Sequence, residues 1–228
     1  MGRVYEEIDE RLVRFVESQP VFFVATAPLD PAGHLNCSPK GNRDELVVLG
    51  PRRVAYLDQT GSGVETIAHL RENGRIVVMF CAFDGPPRIV RLHGHAEAVL
   101  VDDVRFAALA ERFPRVGVGV RSVVVVDVER VADSCGYGVP LMTFTAHRPT
   151  MDDWAERKGP DQIRRYWAEE NASSLDELVG IPEAGTGVGA SSPGATSRNH
   201  STTTGVSSSS TQLSSPRRDR ISPAKPDQ

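Results

Sequence analysis

Residues 88–101 alternate in character. Val90, Leu92, Gly94, Ala96, Ala98 and Leu100 point one way, whereas Arg91, His93, His95 and Glu97 point the other. A period of two sends successive side chains to opposite faces of a strand, so this stretch predicts a long, half-buried strand with one polar face. Shorter strand-like stretches surround it, at residues 21–25, 34–38, 46–49, 54–57, 76–83 and 123–128, most of them apolar. Turns rich in Gly and Pro separate several of them, at residues 28–33, 50–51 and 84–87. This rhythm predicts an antiparallel meander or barrel.

Helical patterns flank the strands. Tyr5, Ile8, Leu12, Phe15 and Val16 repeat at helical spacing and Pro20 ends them. Ser62 and Glu65 have the spacing of a capping box, with Val64, Ile67 and Leu70 on one face of the helix that follows. Asn73-Gly74 supplies a left-handed stop. Asp102 or Asp103 caps a short helix that Pro114 closes. A C-terminal helical region starts at residues 150–153, with Trp154, Tyr166 and Trp167 as apolar anchors.

The chain of 228 residues divides at about residue 183. Residues 1–183 carry the apolar patterning and form one domain. Residues 184–228 are rich in Ser and Thr, including Ser207-Ser208-Ser209-Ser210, with few large aliphatic residues. Such a segment cannot bury enough apolar surface to offset its chain entropy, so a disordered tail is expected.

Composition narrows the partners. Net charge is −4, which does not suggest a nucleic-acid polyanion. The three cysteines, Cys37, Cys81 and Cys135, have neither zinc-ligand nor redox-motif spacing, as expected of a reduced compartment. The N-terminal residues are polar and acidic, unlike a secretory leader, and no apolar run approaches the ~20 residues that span a bilayer. The expectation is a cytoplasmic protein with no membrane partner.

Chemistry concentrates in residues 56–63, Tyr-Leu-Asp-Gln-Thr-Gly-Ser-Gly. A strand runs into a glycine-rich turn and then into a helix N-terminus, whose free amides and dipole attract an anion such as phosphate. Thr60 and Ser62 add hydroxyls, and Gly61 and Gly63 allow close approach. The spacing alone fits an ordinary capped helix equally well, and Glu65 in the first turn opposes an anion. Lys40, after Ser38-Pro39 at a strand end, can neutralise a phosphate or sit beside an electron-rich ring. His93 and His95 share a strand face, yet no nearby acid or cysteine completes a metal set. No nucleophile–base set is evident, and Cys135 reads as a plain small cysteine.

The order of these motifs resembles the pyridoxamine 5'-phosphate oxidase-like proteins. The resemblance rests on residues 36–41 (Asn-Cys-Ser-Pro-Lys-Gly), residues 55–63, the helix ending Glu72-Asn73-Gly74-Arg75, residues 76–83 and residues 88–94. It extends over roughly residues 5–182, and residues 135–140 (Cys-Gly-Tyr-Gly-Val-Pro) place the chain nearest to an uncharacterised branch.

The resemblance implies a mainly β fold, a six-stranded antiparallel split barrel with peripheral helices, that dimerises and holds FMN between subunits. By matching positions, Thr60 contacts the flavin phosphate with Ser62 and the amides of Gly61 and Gly63, Lys40 and Ser38 lie near the ring or ribityl chain, and Arg88 and Arg91 stand for two family arginines. Glu65-Thr66 occupies the place of the family's phosphate-binding Arg-Lys pair, which predicts weaker phosphate binding unless Lys40, Arg43 or the turn amides compensate. The implied function is an FMN-dependent oxidoreductase of a small-molecule substrate. The alternatives are a reductase using a deazaflavin coenzyme, and a non-catalytic dimeric module that binds flavin or haem.

Overall fold

The computed structural model describes residues 2–42 and 44–182. Arg43 and the segment expected to form a tail lie outside the described residues. The elements run β1 (Val4–Tyr5), α1 (Glu10–Ser18), β2 (Phe22–Thr26), β3 (Asn36–Lys40), β4 (Leu46–Gly50), β5 (Arg53–Gln59), α2 (Glu65–Asn73), β6 (Arg75–Cys81), β7 (Ile89–Leu100), α3 (Phe106–Ala110), β8 (Val120–Ser134) and α4 (Thr150–Glu170). One sheet holds all the strands in the order β3-β2-β6-β7-β8-β5-β4, and β1 pairs with β8. Its pairings are antiparallel throughout. The fold is therefore the expected mainly β architecture with flanking helices. The sheet counts eight strands, and its path ends at two edges, β3 and β4, so it is not closed.

The alternating strand lies where the sequence places it, with a change halfway. Val90 and Leu92 are fully buried while Arg91 and His93 stand half-exposed on the other face. The register then shifts between His93 and Gly94. A Cβ on Gly94 would strike the Asp127 carbonyl, so glycine is required at this bulge. Beyond it, Ala96 and Ala98 pack on the main core while Val99 enters a second one.

The main core fills the concave side of the sheet with Phe22, Val24, Tyr56, Val78, Phe80, Val90, Leu92 and Val126. Leu12 and Val16 of α1 and Leu70 of α2 close on it. Each such side chain contributes about 1.5–3 kcal/mol by leaving water. Val123 and Val125 of β8 point the other way, to Phe113 and the α3 side chains Phe106 and Leu109. Two covered faces explain why residues 123–126 read as a continuous apolar run, which ends at the exposed Asp127.

Helix ends differ from expectation in three places. One is α3, whose N-cap is Arg105 without a side-chain cap, while Asp103 accepts from the Arg105 amide before the helix begins rather than capping it. Tyr5 belongs to β1 rather than to the first helix, which starts at Asp9, whose carboxylate accepts from the Leu12 amide at 2.8 Å. The capping box at Ser62 does not form. The N-cap of α2 is Val64, without a side-chain cap, and Ser62 is exposed two residues earlier. The left-handed stop does form, with Gly74 at φ 71° and its amide on the Leu70 carbonyl. α4 breaks at Gly159-Pro160, where proline removes a helical donor and clashes with the preceding turn. Among the described residues, no helix is long and apolar enough to cross a membrane.

Candidate functional site

β3 is an edge strand, which tolerates Pro39 because its outward amides need no ladder partner. Directly opposed residues of an antiparallel pair share a face. Asn36, Ser38 and Lys40 oppose Thr26, Val24 and Phe22, so they point to the concave side. There they meet α2. The Asn36 amide donates to Thr66 Oγ1 at 2.9 Å and to Thr26 Oγ1 at 3.1 Å, and the Ser38 hydroxyl donates to Asn36 Oδ1 at 2.8 Å. His69 Nδ1 lies 2.9 Å from the Thr26 hydroxyl. Burial holds the His69 pKa below its usual value, which favours the neutral ring.

Lys40 is committed to its own chain. Its Nζ donates to Asp58 Oδ1 at 2.7 Å, and Arg121 Nε donates to Asp58 Oδ2, also at 2.7 Å. Asp58 is fully buried. Burial alone would raise its pKa, but Arg121 and Lys40 outweigh it and lower the value to about 2. The carboxylate therefore stays ionised and offsets one of the two positive charges best placed to attract an anion, so the trio keeps a net positive charge. Arg121 also donates to Asn171 Oδ1 at 2.9 Å.

The glycine-rich turn is held in the same way. The Thr60 hydroxyl donates to the Gly119 carbonyl at 2.6 Å and accepts from Trp167 Nε1 at 2.8 Å. A hydroxyl has one proton, so Thr60 has none left for a phosphate. The Asn171 amide reaches the carbonyls of Gly61 at 2.9 Å and Ser62 at 3.4 Å. Gly61 has open space beside it, whereas a Cβ on Gly63 would strike the Glu65 carboxylate. That carboxylate also accepts from the Leu175 amide at 3.3 Å.

Arg91 stands elsewhere. It opposes Met79, which opposes Phe23, which opposes Pro39, and this row faces away from the main core. A second row runs from Cys37 through Ala25 and Val77 to His93 and Arg130. Phe23, Ala25, Val77, Met79, Arg91 and His93 are all only half-buried. Arg91 bonds Ser134 Oγ at 3.1 Å, and Arg88 lies at the strand's start with Tyr5 and Asp133.

The structure thus divides the residues singled out in the sequence. Ser38 and Thr66 bond to Asn36, Lys40 bonds to Asp58 on the same side of the sheet, Thr60 bonds to Gly119 and Trp167, and these sets together make a polar seam; Gly61, Ser62 and Gly63 form the turn after β5, and Arg91 lies on the outer face. Sequence reasoning missed Asp58, Arg121, Trp167 and Asn171, which hold the seam together. The signal was present for two of them, because Asp58 and Arg121 are charges beside runs of buried apolar strand residues. Nothing local marks Asn171, which acts across more than a hundred residues of sequence. His95 pairs with Glu129 at 2.8 Å, and no group of three or more potential metal ligands occurs among the described residues. Cys135 is exposed.

The seam can order its own strands but has few free donors; the outer face offers a flat apolar surface bordered by cations. Comparison with known proteins places this arrangement in a lineage. The family model described as Pyridoxamine 5'-phosphate oxidase matches residues 8–135. The curated Pyridoxamine 5'-phosphate oxidase family protein ustO of Aspergillus flavus is 40% identical over 195 residues, covering 79% of this chain and 78% of the relative. Among solved structures, HupZ of Group A Streptococcus is 23% identical with a TM-score of 0.43, covering 54% of this chain and 91% of that one. The FAD binding protein from Mycobacterium smegmatis is 16% identical with a TM-score of 0.40, covering 57% of this chain and 95% of that one. The family match and the close curated relative show that this chain belongs to the pyridoxamine 5'-phosphate oxidase family.

Proposed function

We propose that this protein is a flavin-dependent oxidoreductase of a small molecule, working as a homodimer in the cytoplasm. The observation that carries the reading is the outer face of β2, β3, β6 and β7. Phe23, Ala25, Val77 and Met79 form a half-buried apolar floor, and Arg91 and His93 stand on its β7 side. This fits the ring system of a flavin, which needs a flat apolar surface and donors for its electron-rich edge. FMN is the form that family membership suggests. A bound flavin would supply the redox chemistry, and the protein's part is to seat it and exclude competing reactions.

A second copy is part of the proposal. Ser38 and Lys40 face one side of the sheet and Arg91 the other, so a ligand touching both sets must draw them from two chains. Residues 135–149 support the same view. They are anchored by the Met142 amide on the Phe83 carbonyl at 2.8 Å and by His147 beside the Gly41 carbonyl at 2.9 Å. They nonetheless expose Tyr137, Leu141, Met142 and Phe144. Large apolar groups gathered on one exposed segment mark an interaction surface.

A second reading is a dimeric flavin-holding module without turnover. It draws on the seam, where Asp58 holds both Lys40 and Arg121 and none of the three is a poised acid or base. Purified full-length protein titrated with riboflavin and FMN tests flavin binding, and light scattering tests the dimer. The expected result is quenching of flavin fluorescence by a dimer. A monomer that quenches neither ligand overturns the proposal. Turnover with a reduced nicotinamide donor then separates enzyme from module.

A further inference from the structure

We infer that the turn before α2 gives a ligand's phosphate no advantage over an uncharged end, because Glu65 supplies the anion that this helix start would otherwise take from a ligand. The inference rests on the proposed flavin site and concerns which end of a flavin that site reads.

Three independent contacts converge on the turn. First, both hydrogen-bonding roles of the Thr60 hydroxyl are in use, its proton on Gly119 and an acceptor site on Trp167. Second, Asn171 holds the carbonyls of Gly61 and Ser62. A trans peptide points its N–H opposite to its C=O. This fixes the turn's carbonyls and leaves the Ser62 and Gly63 amides on its other side, so the case against phosphate there rests on the Glu65 carboxylate. Third, the Glu65 carboxylate lies against Gly63, where any side chain on that residue would collide with it. A carboxylate in the first helical turn satisfies the positive end of the dipole, and a second anion there meets repulsion.

The neighbouring cations do not reverse this. Lys40 and Arg121 share the buried Asp58 carboxylate at 2.7 Å each. Thr66, the next residue after Glu65, accepts from Asn36, which turns its hydroxyl toward β3. The turn therefore suits a ligand end that is uncharged, such as the free hydroxyl terminus of riboflavin, at least as well as a phosphate. Glu65 is in this sense a specificity-determining residue.

The test compares riboflavin and FMN by fluorescence quenching on full-length wild type and Glu65→Gln, with circular dichroism melts to confirm that the variant is folded. The expected result is a wild type that binds the two flavins within about threefold of each other, the scale of a lost or neutral contact rather than a charge-assisted one. Glu65→Gln should tighten FMN about fivefold or more and leave riboflavin unchanged. A wild type that prefers FMN clearly, or a variant whose FMN-to-riboflavin ratio stays at the wild-type value, overturns the inference. If neither flavin binds, the flavin reading fails, and inorganic phosphate decides the inference alone. Phosphate should then raise the melting temperature of Glu65→Gln and not that of wild type, and equal responses sink it.

Discussion

The seam and the outer face use the same strands in opposite ways. On the concave side of β3 and β5, polar groups find partners within the chain, from Asn36 and Thr66 through Lys40, Asp58 and Arg121 to Asn171. On the convex side of β2, β6 and β7, apolar groups of similar size are left half-covered. The difference teaches how to separate architecture from function here. Buried charge must be paired to be tolerated at all, so the seam is explained by stability. An apolar face left half-covered among the described residues is not explained by the stability of one chain, and it is the face the proposed function assigns to a ligand and second subunit.

This contrast can be broken by mutation. The largest effect is expected for Asp58→Ala, which strands Lys40 and Arg121 in a buried site. It should cost about 3–5 kcal/mol in urea denaturation. A loss under 1 kcal/mol would mean that water reaches the seam. Met79→Lys attacks the face instead. It should leave monomer stability within about 1 kcal/mol, yet weaken the dimer ~100-fold or more, because an interface must then bury an unpaired charge. Light scattering across a dilution series checks this, and an unchanged dimer moves the interface elsewhere.

Acid gives a third contrast. Asp58 ionises at about 2 in the folded chain, below its ordinary 3.8, because Arg121 and Lys40 overcome the penalty of burial. The ionised form therefore favours folding. That contribution is complete above about pH 4 and disappears as pH falls through about 2, with a size of about 2 kcal/mol. Denaturation midpoints between pH 2 and 6 should fall in wild type and flatten in Asp58→Asn. Changes confined to the outer face should not flatten that limb. The smallest effect is expected for Trp167→Phe, which keeps an aromatic ring but removes the donor to Thr60 together with the pyrrole part of the buried indole. Stability should drop by about 1 kcal/mol without altering the dimer. A larger loss would show that α4 secures the turn by more than this one bond.

Much of the fold was legible from local pattern. The period of two in β7, the left-handed glycine after α2 and the glycine turns each act over a few residues, and each appears where the sequence places it. The site was less legible. Thr60 and Ser62 looked like hydroxyl donors for a phosphate, and Ser62 with Glu65 like a capping box. The structure starts the helix at Glu65, leaves Ser62 outside, and gives the Thr60 proton to Gly119. Arg91 looked like a companion of Lys40 and lies on the opposite face.

The sequence by itself determined the strands, their alternation and the helix stops, because these follow from side-chain periodicity and backbone sterics within a short window. Only the tertiary structure decided which donors remain free. Asn171 and Trp167 close the turn from more than a hundred residues away, and Gly119 takes the Thr60 proton from across the sheet. Hydrogen-bond capacity is settled by whichever groups folding brings within about 3 Å, and no local pattern specifies that.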